Sequence, residues 1–226
     1  MQKNILAAIV IFSCFFSTVW ANEPKTVAVK KETNTFDLDL KYPQGFANET
    51  IDETVKKFIN ETQQADANPD ANEDVNAPGK NSLYVDYKIK FQNKNAVSLL
   101  FTVSVNHRGA AHPNNSVKTF NFLNGQEISL SDLFKSDSNY LKKISTLSRA
   151  ELIKKKISDD NWIISGTSPK EDNYRNWYFT EKGLTIVFDT YQVAAYVYGP
   201  QEIEIAKSTL IHLLRPEIAK LVWGNA

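Results

Sequence analysis

The amino-acid sequence predicts an α+β fold with a mainly antiparallel sheet and helices packed on one face. Two observations support this class. Alternating apolar residues recur in pairs of segments separated by short polar turns, as in β-hairpins. Segments with a helical spacing of apolar residues stand between these pairs and do not follow every strand. This order of elements favours an antiparallel sheet over a doubly wound parallel one.

The first elements are a strand and a helix. Residues 36–42 alternate apolar and polar side chains, which predicts a half-buried strand, and residues 22–34 predict an unstructured or loosely paired lead. Residues 49–63 repeat apolar side chains on one face, which predicts an amphipathic helix. Residues 64–80 lack apolar periodicity and predict a loop.

The clearest pattern is a long antiparallel hairpin. Residues 83–91 and 97–105 alternate apolar and polar side chains on either side of a polar turn, so each strand has one buried face. A third strand over 117–123 ends at Asn124-Gly125, a dipeptide typical of hairpin turns.

The second half of the chain predicts a helix, a second hairpin and two short helices. In order, the elements are a helix over 138–157, a polar, turn-rich stretch over 158–174, hairpin strands over 177–179 and 184–188, an aromatic loop over 190–200, a strand around 203–205, and short helices over 208–214 and from 216.

The first 21 residues have the parts of a cleavable secretory signal. An apolar stretch over 5–16 follows a lysine, and Val19 and Ala21 fit the small-residue cleavage pattern. The stretch is shorter than the ~20 residues of a transmembrane helix. The alternatives are an uncleaved anchor and a lipoprotein acylated at Cys14, which the bulky Phe12 disfavours.

After cleavage of residues 1–21, we expect a periplasmic or extracellular chain that has no membrane span and no cysteine. Its core alone must then stabilise it. The full sequence has 26 basic and 26 acidic residues, and cleavage removes Lys3 from this balance, so we expect no nucleic-acid partner. We expect residues 22–80 to form an N-terminal strand–helix segment with a polar loop, continuing into the strands of 81–123. Residues 124–226 then form a C-terminal domain, and all pack as one compact unit.

One loop has the spacing of a calcium site. Oxygen-bearing side chains occupy every second position from Asp66 to Asn76. Ala71 stands where such a loop has glycine, and Ala77 where it has a bidentate glutamate. A solvated loop is therefore favoured over calcium binding, and we expect no cofactor.

The histidines do not form a recognisable metal or catalytic site. His107 and His112 are five residues apart around Gly109, whereas a zinc pair on a helix prefers a spacing of four. His212 lies among leucines in a predicted helix. We therefore predict no catalytic residue and no metal site, while paired carboxylates remain open because Asp and Glu abound.

The loop over 190–200 is the predicted binding site. It holds Tyr191, Tyr196 and Tyr198, and tyrosine offers a large, stiff contact area with a polar tip. Function concentrates on loops, so we expect His112 and Asn114 of the neighbouring loop to share this face. The alternative is that some of these rings close the end of the sheet.

Several motifs together resemble a known family. In chain order they are GAAHP (109–113), NGQEISLSDLF (124–134), WYFTEKGL (177–184), FDTYQVAAY (188–196) and GPQE (199–202). Their combination resembles the extracytoplasmic domain of unknown function, of DUF3298 type, in the anti-sigma factor RsiV. The lead over 36–63 resembles the DUF4163-type segment that precedes it there and also precedes peptidoglycan deacetylase catalytic domains. The resemblance covers roughly residues 36–215.

The resemblance implies that, in RsiV, the extracytoplasmic part binds lysozyme and so senses attack on the cell envelope. This sequence shows no sigma-binding segment, no retained transmembrane helix and none of the deacetylase metal-binding motifs, and Thr190 and Ala195 stand where many relatives have proline. We therefore expect a non-enzymatic binding protein of the envelope that recognises a lysozyme-like protein or peptidoglycan glycan. The alternatives are an envelope glycan hydrolase or deacetylase with an unrecognised site, and a structural partner in a larger complex.

Overall fold

A computed structural model of the chain describes residues 23–66 and 77–224. The predicted signal peptide and nearly all of the run with calcium-like spacing lie outside the described residues, so both stay predictions. Within the two described ranges, no helix is both long and apolar enough to cross a membrane.

The strands of the first half of the chain form a six-stranded sheet, here called the large sheet. Its strands lie side by side in sequence order, and all neighbours are antiparallel except the second and third, which are parallel. The strands are β1 (Lys25–Glu32), β2 (Phe36–Gln44), β3 (Asn81–Gln92), β4 (Ala96–Asn106), β5 (Asn114–Leu123) and β6 (Gln126–Glu127).

The turn between β5 and β6 shows why Asn124-Gly125 is a turn signal. Asn124 has a φ of 49° and Gly125 a φ of 80°, both in the left-handed region that this dipeptide tolerates. A Cβ on Gly125 would also lie 1.8 Å from the amide nitrogen of Asn48. The position therefore needs glycine for both its backbone angle and its close neighbour.

Helix α1 (Glu49–Asp66) connects the parallel strands β2 and β3. Parallel neighbours need such a crossover because a tight turn can join only antiparallel strands. Ile51, Val55 and Ile59 lie on one stripe of α1 and are buried in a cluster with strand residues such as Leu40 and Phe101. α1 therefore covers the apolar face of the large sheet.

The second half of the chain contains a three-stranded antiparallel sheet, here called the small sheet, together with four α-helices. Its strands are β7 (Trp177–Thr180), β8 (Gly183–Phe188) and β9 (Gln201–Ala206). The helices are α2 (Tyr140–Lys155), α3 (Asp160–Gly166), α4 (Lys207–Leu210) and α5 (Pro216–Trp223), and 3-10 turns occupy Leu130–Leu133, Glu171–Tyr174 and Tyr196–Tyr198.

The small sheet packs on the face of the large sheet opposite α1. Leu100, Val117, Tyr178 and Val187 form a buried apolar cluster that brings residues of the two sheets together. β7 is the strand that contacts the large sheet most closely. The large sheet is therefore the middle layer of the molecule.

Strand β7 uses side chains of the large sheet as hydrogen-bond partners. The N–H of Phe179 donates to Ser98 Oγ (3.0 Å), and Asn121 Nδ2 donates to the carbonyl of Trp177 (2.7 Å). Ser98 Oγ donates to Asn121 Oδ1 (2.6 Å), and the N–H of Trp177 donates to Thr119 Oγ1 (3.0 Å). All these groups are buried, where polar atoms require partners. We call this set the inter-sheet network.

The structure confirms the α+β class with mostly antiparallel strands, and it contains both predicted hairpins. It differs in four places. The strands form two sheets, the lead over 25–32 is a strand paired along its whole length with β2, and the turn-rich stretch over 158–174 contains α3. The helix predicted over 208–214 ends at Leu210. Asp159 begins α3 because its carboxylate accepts the N–H of Trp162 at 3.0 Å.

Replacing Ser98 with alanine tests the inter-sheet network. The N–H of Phe179 and Asn121 Oδ1 would each lose a buried partner, so the free energy of unfolding should fall by about 1–3 kcal/mol. Urea denaturation of the full chain measures this change. Thr102→Ala, an exposed position on the same strand and face, should change it by less than about 0.5 kcal/mol. Equal losses in the two variants would contradict the proposed role of Ser98.

Candidate functional site

Three of the five predicted binding residues lie together. The rings of His112 and Tyr196 stack with centroids 4.0 Å apart, and the ring of Tyr191 lies 5.7 Å from that of Tyr196. Tyr191 OH is 3.4 Å from His112 Nε2. The loop after β4 and the loop after β8 therefore meet in an aromatic trio of His112, Tyr191 and Tyr196.

The other two predicted residues lie beside the trio. Asn114 is the first residue of β5 and pairs with Val105, and Tyr198 ends a 3-10 turn with 47% of its surface exposed. The asparagine that holds the trio is Asn115, whose Nδ2 donates to Tyr196 OH at 2.8 Å. The binding role of all five predicted residues stays a proposal.

The conformation of Tyr191 is held by its neighbours. Its φ of 65° lies in the left-handed region, which costs an ordinary residue roughly 1–2 kcal/mol. Trp162 Nε1 donates to the Tyr191 carbonyl (3.0 Å), and Gln192 Nε2 donates to the Gly166 carbonyl (3.1 Å). A Cβ on Gly166 would lie 2.1 Å from the Gln192 carbonyl. The aromatic loop is therefore seated directly on α3, which holds the backbone at Tyr191 in this conformation.

Asp189 ties this loop to the edge of β5. Its Oδ1 accepts the N–H groups of Val117 (3.1 Å) and Thr190 (2.8 Å), and Arg175 lies 3.9 Å from Oδ2. Burial raises the pKa of Asp189, although the two N–H groups and the charge of Arg175 act in the opposite direction.

A second candidate is a polar cleft of about 540 Å³ at the edge of β5. It lies between β5, the segment that follows β6, the start of α2 and the 3-10 turn before β7. Its charged and hydroxyl-bearing lining residues are Lys118, Thr119, Glu127, Ser129, Ser131, Asp132, Tyr140, Glu171, Asp172, Tyr174 and Arg175. A cleft of this size and polarity suits a small polar ligand or part of a polymer.

Two carboxylates of the cleft have different surroundings. Asp132 accepts hydrogen bonds from the N–H and Oγ of Ser129 (2.8 and 2.7 Å), so it holds the turn that begins at Ser129. Glu171 is exposed and accepts a hydrogen bond from Tyr140 OH at 3.4 Å. Burial, and then the charge of Glu171, raises the pKa of Tyr140. The Tyr140 hydroxyl therefore stays protonated at neutral pH and can donate.

The sequence does not reveal this cleft, because its lining comes from four separate segments between 118 and 177. The available signal was the motif NGQEISLSDLF, which contributes Glu127, Ser129 and Asp132. Glu171 and Arg175 lie in the stretch expected to be turn-rich and carry no local signal.

The described residues do not assemble a group of metal ligands. His107 and His112 lie in the loop before β5, and His212 follows α4. Across residues 23–66 and 77–224, no three His, Cys, Asp or Glu side chains lie close enough to hold a metal ion.

Comparison with known proteins divides the chain into two matched parts. Residues 131–208 match the family described as "Protein of unknown function (DUF3298)". The C-terminal part of the chain is a DUF3298 domain. Residues 29–115 match the family described as "Deacetylase PdaC". The DUF4163 assignment of the N-terminal segment is therefore corrected to a PdaC deacetylase-like one.

A curated relative spans both parts. The chain is 35% identical over 188 residues to the peptidoglycan-N-acetylmuramic acid deacetylase PdaC of Bacillus subtilis (strain 168). The alignment covers 81% of this chain and 40% of that protein. The chain therefore spans well under half the length of this relative.

Two crystal structures share the fold. A DUF3298 family protein from Pseudomonas aeruginosa PAO1 has a TM-score of 0.62 and 14% identity, covering 86% of this chain and 95% of its own. A DUF3298 family member from Bacteroides fragilis NCTC 9343 has a TM-score of 0.61 and 15% identity, covering 90% and 98%. At these identities the likeness concerns the fold alone.

These findings correct the expected function. The prediction of a non-enzymatic binding protein is contradicted, because the curated relative is named for an enzyme and the N-terminal part matches a deacetylase family. The deacetylase alternative fits better. Of the two predicted partners, peptidoglycan is the one that the relative's name supports, and nothing in the comparisons supports a lysozyme-like protein.

The raised pKa of Asp189 gives a testable pH dependence. Asp189→Asn keeps an acceptor oxygen for the two N–H groups but cannot ionise. Because the folded protein holds the Asp189 proton more tightly than the unfolded chain does, this carboxyl stabilises the fold at low pH, and the contribution is lost as pH rises above about 4.

The free energy of unfolding of the wild type, relative to Asp189→Asn, should therefore fall as the pH rises above the ordinary aspartate pKa of about 4. Chemical denaturation at a series of pH values measures the difference. A difference that stays flat or rises with pH would show that burial does not control this carboxyl.

Proposed function

We propose that this chain acts in the deacetylation of peptidoglycan, outside the cytoplasmic membrane. The observation that carries the proposal is the similarity, along most of the chain, to a protein named as a peptidoglycan-N-acetylmuramic acid deacetylase. The proposal concerns the part of that protein that this chain shares. The polar cleft beside β5 is the site that we assign to it.

Removal of an N-acetyl group is the hydrolysis of an amide. A water oxygen bonds to the acetyl carbon, the carbon–nitrogen bond breaks, acetate leaves, and the sugar nitrogen takes a proton. The reaction needs a base for the water and donors for the oxygen that becomes negative. In the cleft we assign Glu171 as the base, and Tyr140 OH and the Arg175 guanidinium as the donors.

The surroundings of these groups support the roles. Glu171 is exposed to solvent and so can reach a water and a bound sugar, whereas Asp132 is occupied by Ser129. Tyr140 keeps its proton because burial raises its pKa, so its hydroxyl can donate to a developing oxyanion. Arg175 brings a permanent positive charge to the rim of the same cleft.

Replacing Glu171 with glutamine tests the assignment. Loss of a general base should lower acetate release from purified peptidoglycan by about 100-fold or more, while the unfolding transition stays unchanged because Glu171 is exposed. Acetate released by the full chain is quantified enzymatically, and circular dichroism follows unfolding. Glu217→Gln, an exposed carboxylate of α5, is the matched control and should keep full activity.

Two results would overturn the proposal. The folded wild-type chain could release no acetate from peptidoglycan, which would remove the function. Equal rates for wild type, Glu171→Gln and Glu217→Gln would instead remove the cleft as its site.

A further inference from the structure

The small sheet leaves part of the large sheet uncovered. On the face opposite α1, the ends of β2, β3, β4 and β5 that lie beyond the small sheet form a groove of about 460 Å³. Pro200, from the aromatic loop, contributes to its wall. This sheet groove is separate from the cleft, and the roles assigned so far do not use it.

The floor of the sheet groove is a polar row that crosses four strands. Asp39 pairs with Tyr84, Tyr84 with Ser104, and Ser104 with Asn115, so the four side chains lie in register on one face. The row crosses three strand spacings of ~4.8 Å and is therefore ~14 Å long. Tyr84 lies within the row and is 44% exposed, so its ring is open to a ligand.

The row continues into the aromatic trio. Asn115 lies at the end of the row, and its Nδ2 donates to Tyr196 OH at 2.8 Å. Tyr196 in turn stacks on His112. The loop that the sequence marked for binding therefore borders one end of the sheet groove.

The charges of the sheet groove favour an uncharged ligand. Asp39 is paired with Lys30 at 2.9 Å, and the other ionic lining residues are one acid, Asp86, and one base, Lys41. The formal charges of these four residues cancel. A polyanion or polycation would find no complementary field here, whereas a chain of neutral polar groups would.

The polar atoms of the sheet groove also suit such a ligand. Thr102 and Ser104 present hydroxyls, and Asn115 presents an amide. Asp39 Oδ1 is buried and makes no hydrogen bond to any described residue, although buried oxygens normally have a partner. Tyr84 adds a flat, partly apolar ring with a polar tip.

We propose that the sheet groove binds an uncharged stretch of peptidoglycan glycan, with a sugar ring lying on Tyr84. The choice of peptidoglycan rests on the function proposed above, and the groove itself rests on the row, its charge balance and its exposed ring. Hydroxyl and acetamido groups of the sugars match the hydroxyl and amide side chains of the row. A site ~14 Å long spans several sugar rings and so favours an oligosaccharide over a single sugar.

Calorimetric titration of the full chain with a soluble oligomer of N-acetylglucosamine, the glycan sugar that carries only hydroxyl and acetamido groups, tests this proposal. Tyr84→Ala should weaken binding by about tenfold or more, as expected for loss of a central aromatic contact. Tyr84→Phe keeps the ring and should stay within about threefold of the wild type. Ile89→Ala, an exposed position on the same strand but the opposite face, should bind as the wild type does.

The two proposals fail separately. Absence of glycan binding by a folded wild-type chain, or equal affinity for Tyr84→Ala and Ile89→Ala, would overturn the sheet groove even where acetate is released. Binding that depends on Tyr84, in a chain that releases no acetate, would support the groove and remove the deacetylase function.

Discussion

The buried hydrogen bonds between the two sheets determine the arrangement of the second half of the chain. β7 and the free edge of β5 both lack a neighbouring strand at this point, and polar side chains replace it. Asn176, directly before β7, bonds to the edge of β5 at two points: its Oδ1 accepts the N–H of Thr119, and its Nδ2 donates to the carbonyl of Val117, each at 3.2 Å. A shift of β7 by one residue would leave several buried groups unpaired, at a cost of about 1–3 kcal/mol each. The network therefore specifies one position for the small sheet.

Both candidate surfaces depend on that position. Arg175 enters the cleft directly before Asn176, and Asp189 accepts the N–H of Val117 directly after β8 ends. The position of Arg175 closes the cleft on one side of β5. The hydrogen bond of Asp189 holds the start of the aromatic loop. The end of this loop, at Pro200, forms part of the wall of the sheet groove. The edge of β5 thus supports the cleft and the loop together.

Some elements were predictable and others were not, because only some of them depend on local patterns in the sequence. The long hairpin and α1 were predictable because alternation and helical spacing are local patterns. Ser98 and Asn121 have the same alternation, and by that pattern they belong to a solvent-facing side. They are buried because a sheet formed some 60 to 80 residues later covers them. No local pattern in the sequence indicates that Ser98 and Asn121 are covered, so the second sheet could not be predicted.

The same distinction applies to α3 and to the cleft. α3 is seven residues long and ends in Gly166, too short for a helical period to stand out. The cleft collects side chains from separate segments, and exposed carboxylates are too common in the sequence to mark it. The aromatic loop was predictable because three tyrosines lie close together in the sequence. The asparagine that anchors it, however, is Asn115 and not Asn114.

Strand β5 connects the two proposed roles. Its residues 115–117 line the sheet groove, while Lys118, Thr119 and Asn121 line the cleft. A single sugar would occupy one of these sites, whereas a polymer held at the groove raises the effective concentration of its own neighbouring sugars at the cleft. The gain depends on both sites keeping a fixed separation, which the rigid, fully paired middle strands of the large sheet provide. Under the two proposals, the inter-sheet network therefore acts on function by fixing the distance between where the glycan is held and where it reacts.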